Sequence, residues 1–89
     1  MNAPRKRSEN YVATTLGEEL LIVDLDGGEL FSLTGTGKAI FEAIDARRSE
    51  ADIVALMCAT HDGSPDVIAK DVARMLADLE AAALIERSP

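Results

Sequence analysis

The sequence contains few of the side chains from which catalytic and metal sites are built. Its 89 residues include one cysteine, Cys58, one histidine, His61, and no tryptophan. One cysteine cannot form an internal disulfide, and two ligand types three residues apart do not complete a zinc site. The carboxylates of Asp24 and Asp26 lie where a strand meets a turn, which is an ordinary position for aspartate. We therefore expect no enzymatic activity, no metal ion and no cofactor.

The glycine-containing stretch SLTGTGKAIF lacks the residues that a phosphate-binding loop requires. A P-loop has a glycine five residues before its second glycine, and a hydroxyl directly after its lysine. Ser32 and Ala39 occupy these two positions here, and the dinucleotide-binding pattern fails at Ile40. The glycines therefore indicate a turn between a strand and a helix.

The sequence also lacks a long apolar run, and its main part, residues 8–89, is not basic. No run of about 18 apolar residues could span a bilayer, and no apolar segment follows the basic residues 5–7, so we expect neither a membrane protein nor a secreted one. The net charge is −7, and residues 8–89 hold 6 basic and 16 acidic side chains, a balance of −10. Such a body repels nucleic acid and suits basic or amphipathic polypeptides. We expect a cytoplasmic protein that does not bind nucleic acid.

The chain is long enough for one small hydrophobic core. We predict a disordered basic arm over residues 1–10 and a single domain over residues 11–87. In the first half of this domain, β-branched and apolar residues alternate with turn residues, and Asp26-Gly27-Gly28 is typical of a hairpin. The predicted strands cover residues 11–15, 19–25 and 29–33.

Alternation along these strands predicts which side chains share a face. Leu21, Val23 and Leu25 fall on one face of the second strand, and Phe31 and Leu33 fall on one face of the third. We expect this apolar face to be the packed one, in an antiparallel meander with little more than one buried face.

From Thr36 onward the apolar spacing becomes helical. Ile40, Phe41 and Ile44 define a first helix, with Thr34 or Thr36 at its start. A second helix should begin at Ser49, with Asp52 three residues later in a pattern that resembles a capping box.

A third and longer helix should follow Ser64, which precedes Pro65 at the first helical position. Leu84 and Ile85 then end the apolar pattern and should close the core. The stripe predicted for this helix consists of Ile68, Val72, Met75, Leu76, Leu79 and Ala83. The order of elements is βββααα, which predicts an α+β fold.

In order and spacing, residues 11 to 86 resemble the PqqD-like family of RiPP recognition elements. The resemblance rests on an apolar strand that ends in an acidic residue, a glycine hairpin and an aromatic strand. A Leu-Thr pair and a glycine then precede an Ile-Phe pair. Phe41 stands where tryptophan is common, and Thr34-Gly35 stands where many members have Asn-Glu. The matching positions are Asp24, Gly27, Gly28, Phe31, Leu33, Thr34, Gly37, Ile40 and Phe41.

The resemblance implies a winged-helix-like domain that binds the leader segment of a ribosomally made precursor peptide. The leader would lie antiparallel along the third strand, in a groove beside the third helix, and would be presented to a modifying enzyme. That enzyme would be a radical-SAM enzyme, as in PQQ biosynthesis, or a leader protease and cyclase, as in lasso-peptide pathways. The residues implied on the strand are Glu29, Leu30, Phe31, Ser32 and Leu33, and those on the helix are Lys70, Asp71, Arg74, Met75 and Asp78.

Two other functions suit the same pattern of elements. A winged-helix DNA-binding domain also combines strands with three helices, although its recognition helix should be basic. A small structural subunit of a larger modifying enzyme would need no peptide-binding edge. Phe31 and Met75 suit the core as well as a groove.

Overall fold

A computed structural model describes residues 3–87 of the chain. The three predicted strands and three predicted helices are present in the predicted order, so the α+β fold class is confirmed. A short 3₁₀ helix covers Ser8–Asn10, and two further strands lie near the ends of the chain. The strands are β1 (Pro4–Lys6), β2 (Tyr11–Leu16), β3 (Glu19–Asp24), β4 (Leu30–Leu33) and β5 (Ile85–Arg87), and the helices are α1 (Gly35–Ala43), α2 (Glu50–Thr60) and α3 (Pro65–Ala81).

The main sheet is an antiparallel meander in the order β2-β3-β4, and the helices cover one of its faces. In its register, Leu20 lies opposite Leu33 and Ile22 lies opposite Phe31. Leu20 and Ile22 are buried in the core together with side chains from all three helices. We call the helix-covered side the inner face of the sheet and the opposite side the outer face.

The prediction of which face of β3 packs against the core was wrong. The inner face carries Leu20, Ile22 and Asp24, whereas Val23 and Leu25 are exposed and Leu21 is half-buried. The run from Leu20 to Val23 is apolar without interruption, so a period of two cannot select its buried side. The register with β4 selects it, because Phe31 and Leu33 lie opposite Ile22 and Leu20.

Asp24 holds the hairpin between β3 and β4. Its buried carboxylate accepts hydrogen bonds from the backbone N–H groups of Asp26 (3.0 Å) and Gly27 (3.2 Å). Gly28 has a φ of +72°, which a glycine adopts without steric cost. This hairpin fixes where Glu29 and the start of β4 lie.

The predicted helix starts are found where local signals placed them. Thr34 and Ser64 occupy the N-cap positions of α1 and α3 without a side-chain hydrogen bond. Ser49 and Asp52 form a complete capping box at α2, since each side chain bonds the backbone N–H of the other residue at 3.0–3.1 Å. The capping-box prediction is therefore confirmed.

Helix α3 is shorter than its predicted stripe. Ile68, Val72, Leu76 and Leu79 are buried as expected, but the helix ends at Ala81. Ala83 has a φ of +61° and is exposed, because it belongs to the reversal that leads into β5. Leu84 and Ile85 are buried in the core, as predicted.

Residues 3–10 do not form the predicted disordered arm, whose first two residues lie outside the described range. Strand β1 pairs with β5, Pro4 is fully buried, and the backbone N–H of Arg7 donates to the carbonyl of Leu84 at 2.8 Å. The Lys6 ammonium lies 4.8 Å from the centre of the Phe41 ring, within cation–π range. These partners lie far along the chain, so no local pattern reveals them. The single domain over residues 11–87 stays a prediction.

Within residues 3–87, the helices are all too short or too polar to pass through a bilayer.

Candidate functional site

A groove of about 610 Å³ runs between strand β4 and helix α3. Phe31 and Leu33 form one wall because alternate residues of β4 point to the inner face. Met75 and Leu79 form the opposite wall from positions on one face of α3. The full lining is Glu29, Phe31, Leu33, Asp71, Arg74, Met75, Asp78, Leu79, Ala81 and Ala82.

One edge of the groove is an unpaired strand. In the described part of the chain, β4 pairs with β3 on one side and with no strand on the other. The backbone N–H of Asp24 donates to the carbonyl of Glu29 at 2.8 Å, so these two residues form a hydrogen-bonded pair. Such pairs alternate along antiparallel strands, so Phe31 and Leu33 also bond toward β3. The backbone groups of Leu30 and Ser32 consequently point to the free edge.

Helix α1 lies next to both walls of the groove at Gly37. A Cβ atom added to Gly37 would lie 3.6 Å from Sδ of Met75 and 3.9 Å from a methyl carbon of Leu33. These are ordinary van der Waals distances, so the site has room for a methyl group. The stretch that first suggested a phosphate loop instead connects β4 to α1, through Gly35 with a φ of +54°.

The rim of the groove is mostly acidic. Glu29 lies at its β4 side, and Asp71 and Asp78 lie two turns apart on α3 with Arg74 between them. The ion pairs formed within residues 3–87 do not include the Arg74 guanidinium. Apolar walls with charged groups at the rim are suited to an extended polypeptide whose alternate side chains enter the groove.

The structure brings most of the implied site residues together. Leu30 and Ser32 lie on β4, but their side chains point to the outer face, where the Ser32 hydroxyl bonds the Glu19 carboxylate. Lys70 is exposed on α3 and lies outside the groove lining. Those that line the groove are Glu29, Phe31, Leu33, Asp71, Arg74, Met75 and Asp78.

Sequence reasoning missed three groove residues at the end of α3. Leu79 was assigned to the core stripe, where it is indeed buried, yet it also reaches the groove wall. Ala81 and Ala82 line the groove because the helix stops there and the chain turns away. Only the correct end of α3 would have indicated Ala81 and Ala82, and the sequence pattern placed that end too far along the chain.

The sequence profile of the family described as Coenzyme PQQ synthesis protein D (PqqD) matches residues 19–85. The chain belongs to the PqqD family. The match covers the strands, helices and hairpin that build the groove, and it confirms the resemblance inferred from the sequence. This PqqD-family chain has no significant match among curated proteins.

Two solved structures share the fold of this PqqD-family chain. "TbiB1 in Complex with the TbiA(beta) Leader Peptide" is 22% identical, with a TM-score of 0.79 over 92% of this chain and 94% of that one. "Lasso peptide synthetase B1 complexed with the leader peptide" is 17% identical, with a TM-score of 0.78 over 98% of this chain and 99% of that one. At these identities the similarity establishes the three-dimensional fold.

Proposed function

We propose that this protein binds the leader segment of a ribosomally made precursor peptide and presents it to a separate modifying enzyme, without catalysing a reaction itself. The observation that carries the proposal is the free edge of β4 directly beside an apolar groove. Strand edges that bind peptides gain affinity from backbone hydrogen bonds and specificity from pockets for alternate side chains. Both features occur here on one strand.

The backbone part of the interaction uses Leu30 and Ser32. Their N–H and C=O groups face away from β3, and an antiparallel leader strand would satisfy them. Strand β4 has four residues, so its edge is roughly 13 Å long and pairs with about four leader residues. The interaction is therefore short and needs side-chain contacts in addition.

The groove supplies those contacts. Phe31, Leu33, Met75 and Leu79 present an apolar surface to every second side chain of the added strand. A leader with a bulky apolar residue at one of these positions would bury it there. The acidic rim favours a basic leader residue nearby, while Arg74 is positioned to pair with a leader carboxylate.

Family membership and the two related structures support this function. Each of those structures is described as a complex with a leader peptide, and each shares this fold. By the family resemblance, the modifying enzyme would be a radical-SAM enzyme or a leader protease and cyclase. We propose that the encounter takes place in the cytoplasm, where precursor peptides are synthesised.

A scan of the leader peptide tests the mode of binding. Leader peptides from the cognate precursor would carry single alanine or single proline substitutions, and their affinities would be measured by fluorescence anisotropy. Proline removes a backbone donor, so it should weaken binding at positions where alanine is tolerated. Equal tolerance of both substitutions along the whole leader would contradict strand addition.

The other two functions predict different results in simple assays. A DNA-binding domain would retard duplex DNA at low salt, but the exposed acidic residues of α3, Asp66, Asp71, Asp78 and Glu80, oppose that binding. A purely structural subunit would bind the modifying enzyme equally well with and without leader, and would show no affinity for the leader alone.

A further inference from the structure

The outer face of the main sheet carries a row of apolar side chains that the core and the groove do not use. Val12, Val23 and Leu30 lie side by side across β2, β3 and β4, and they are 56%, 39% and 62% exposed. Half-buried Leu21 lies on the same face in the next row, between Thr14 and Ser32, and Leu16 lies one row further, opposite Glu19. We call these five apolar residues the outer patch.

Acidic side chains predominate around the outer patch. Glu18 lies in the turn between β2 and β3, and Glu19 begins β3. Asp26 lies in the hairpin at the other end, where Arg7 lines the same small pocket. Between Arg7 and Lys38 the sequence contains no lysine or arginine. An apolar centre with an acidic border is complementary to a surface with an apolar centre and a basic border.

The outer patch also adjoins the proposed leader site. Leu30 contributes its side chain to the patch and its backbone to the free edge. A leader strand added to β4 would extend the same sheet, and every second leader side chain would point to the outer face beside Leu30. A protein seated on this face would therefore contact the recognition protein and the bound leader together.

We infer that the outer patch is the docking surface for the modifying enzyme, and that the enzyme meets it with an apolar, basic-bordered surface. A second copy of this chain is disfavoured as the occupant, because two acidic borders would face each other in a chain of net charge −7. A surface of anionic lipid is disfavoured for the same reason. The inference rests on the proposed function, since it names the surface through which the enzyme is reached.

Substitutions on β2 and β3 test the inference without altering the leader edge. Val12→Thr with Val23→Thr retains β-branched side chains but removes apolar surface, and Val67→Thr is the matched control, because Val67 is 55% exposed at the start of α3. The probe is the purified modifying enzyme that acts on the same precursor peptide, titrated with each variant. We expect the double variant to bind the enzyme about tenfold more weakly, and Val67→Thr to bind as wild type does. Leader affinity should change by less than about twofold in all of them.

A pair of charged variants tests the predicted basic border. Leu16 is 64% exposed at the border of the patch, opposite Glu19. Leu16→Lys should weaken enzyme binding more than Leu16→Glu, because lysine would face like charges on the enzyme. Equal losses in the two variants would overturn the basic border. Circular dichroism would establish that each variant is folded.

The outcomes separate this inference from the function on which it rests. Enzyme affinity that is the same in the double variant and in Val67→Thr overturns the docking surface even if the leader binds. Wild-type protein that binds neither enzyme alone nor enzyme with leader also overturns it. A wild-type dimer that the double variant converts to a monomer in sedimentation assigns the face to a second copy. Wild-type protein that binds the enzyme through the outer patch but does not bind the leader contradicts the proposed function and leaves the docking surface in place.

Discussion

Ile22 of β3 lies directly opposite Phe31 of β4, and this pairing sets the use of each residue on the edge strand. With Ile22 in the core, Phe31 points inward to the groove, and the backbone groups of its two neighbours point to the free edge. A shift of one residue in register would exchange these roles. The pairing therefore links the core of the protein to its proposed peptide-binding edge.

Two basic residues on α3 should differ in their effect on leader binding. Arg74 lines the groove, whereas Lys70, one turn earlier, lies outside the lining. We expect Arg74→Ala to weaken leader binding by roughly three- to tenfold, because it removes a partner for a leader carboxylate. Lys70→Ala should leave the affinity within about twofold, in anisotropy titrations with the same labelled leader. A larger effect of Lys70→Ala than of Arg74→Ala would show that the groove has been assigned to the wrong face of α3.

Removing the Asp24 carboxylate should destabilise the hairpin. Asp24→Ala deletes the acceptor for two backbone N–H groups, and we expect it to lower the free energy of unfolding by about 1–2 kcal/mol. Asp26→Ala is the matched control, because Asp26 is exposed and takes part through its backbone N–H. Urea denaturation measures both. Similar stability of the two variants would contradict the role of the Asp24 side chain.

The capping box of α2 should be worth more than the N-cap of α3. Ser49→Ala removes a side-chain acceptor at the start of α2 and is expected to cost about 1 kcal/mol in the free energy of unfolding. Ser64→Ala should cost less, since Ser64 makes no side-chain bond at its helix. Thermal unfolding followed by circular dichroism compares the two, and equal losses would be inconsistent with the bonding described.

Two glycines in the first turn of α1 should respond differently to alanine. Gly35 has a φ of +54°, so Gly35→Ala should destabilise the protein by roughly 1–2 kcal/mol. Gly37 lies inside α1, and its added methyl group would meet Met75 and Leu33 at ordinary contact distances. Gly37→Ala should therefore be neutral, or stabilising by up to about 1 kcal/mol. Chemical denaturation tests the difference, and a destabilising Gly37→Ala would indicate that Met75 and Leu33 pack more tightly around Gly37 than these distances imply.

The elements themselves could be predicted because their signals are local. A helical period, a serine with an acidic residue three positions later, and a hairpin with two glycines each depend on residues only a few positions apart. Seven of the ten implied site residues line one groove. Their positions were taken from the family resemblance, which holds in order and spacing. Leu30 and Ser32 lie on the predicted strand, but their side chains point to the outer face, so the contribution proposed for them is through the backbone.

Composition and local pattern by themselves determined an acidic α+β chain with three strands before three helices and few groups for catalysis. Tertiary structure decided which side of the apolar β3 run is buried, because only pairing with β4 distinguishes two equally apolar faces. It also decided that residues 4–10 are ordered, because their partners are distant in the chain: Arg5 and Glu86 lie 81 positions apart. Contacts between residues so distant in the chain depend on the packed fold and leave no periodic pattern in the sequence.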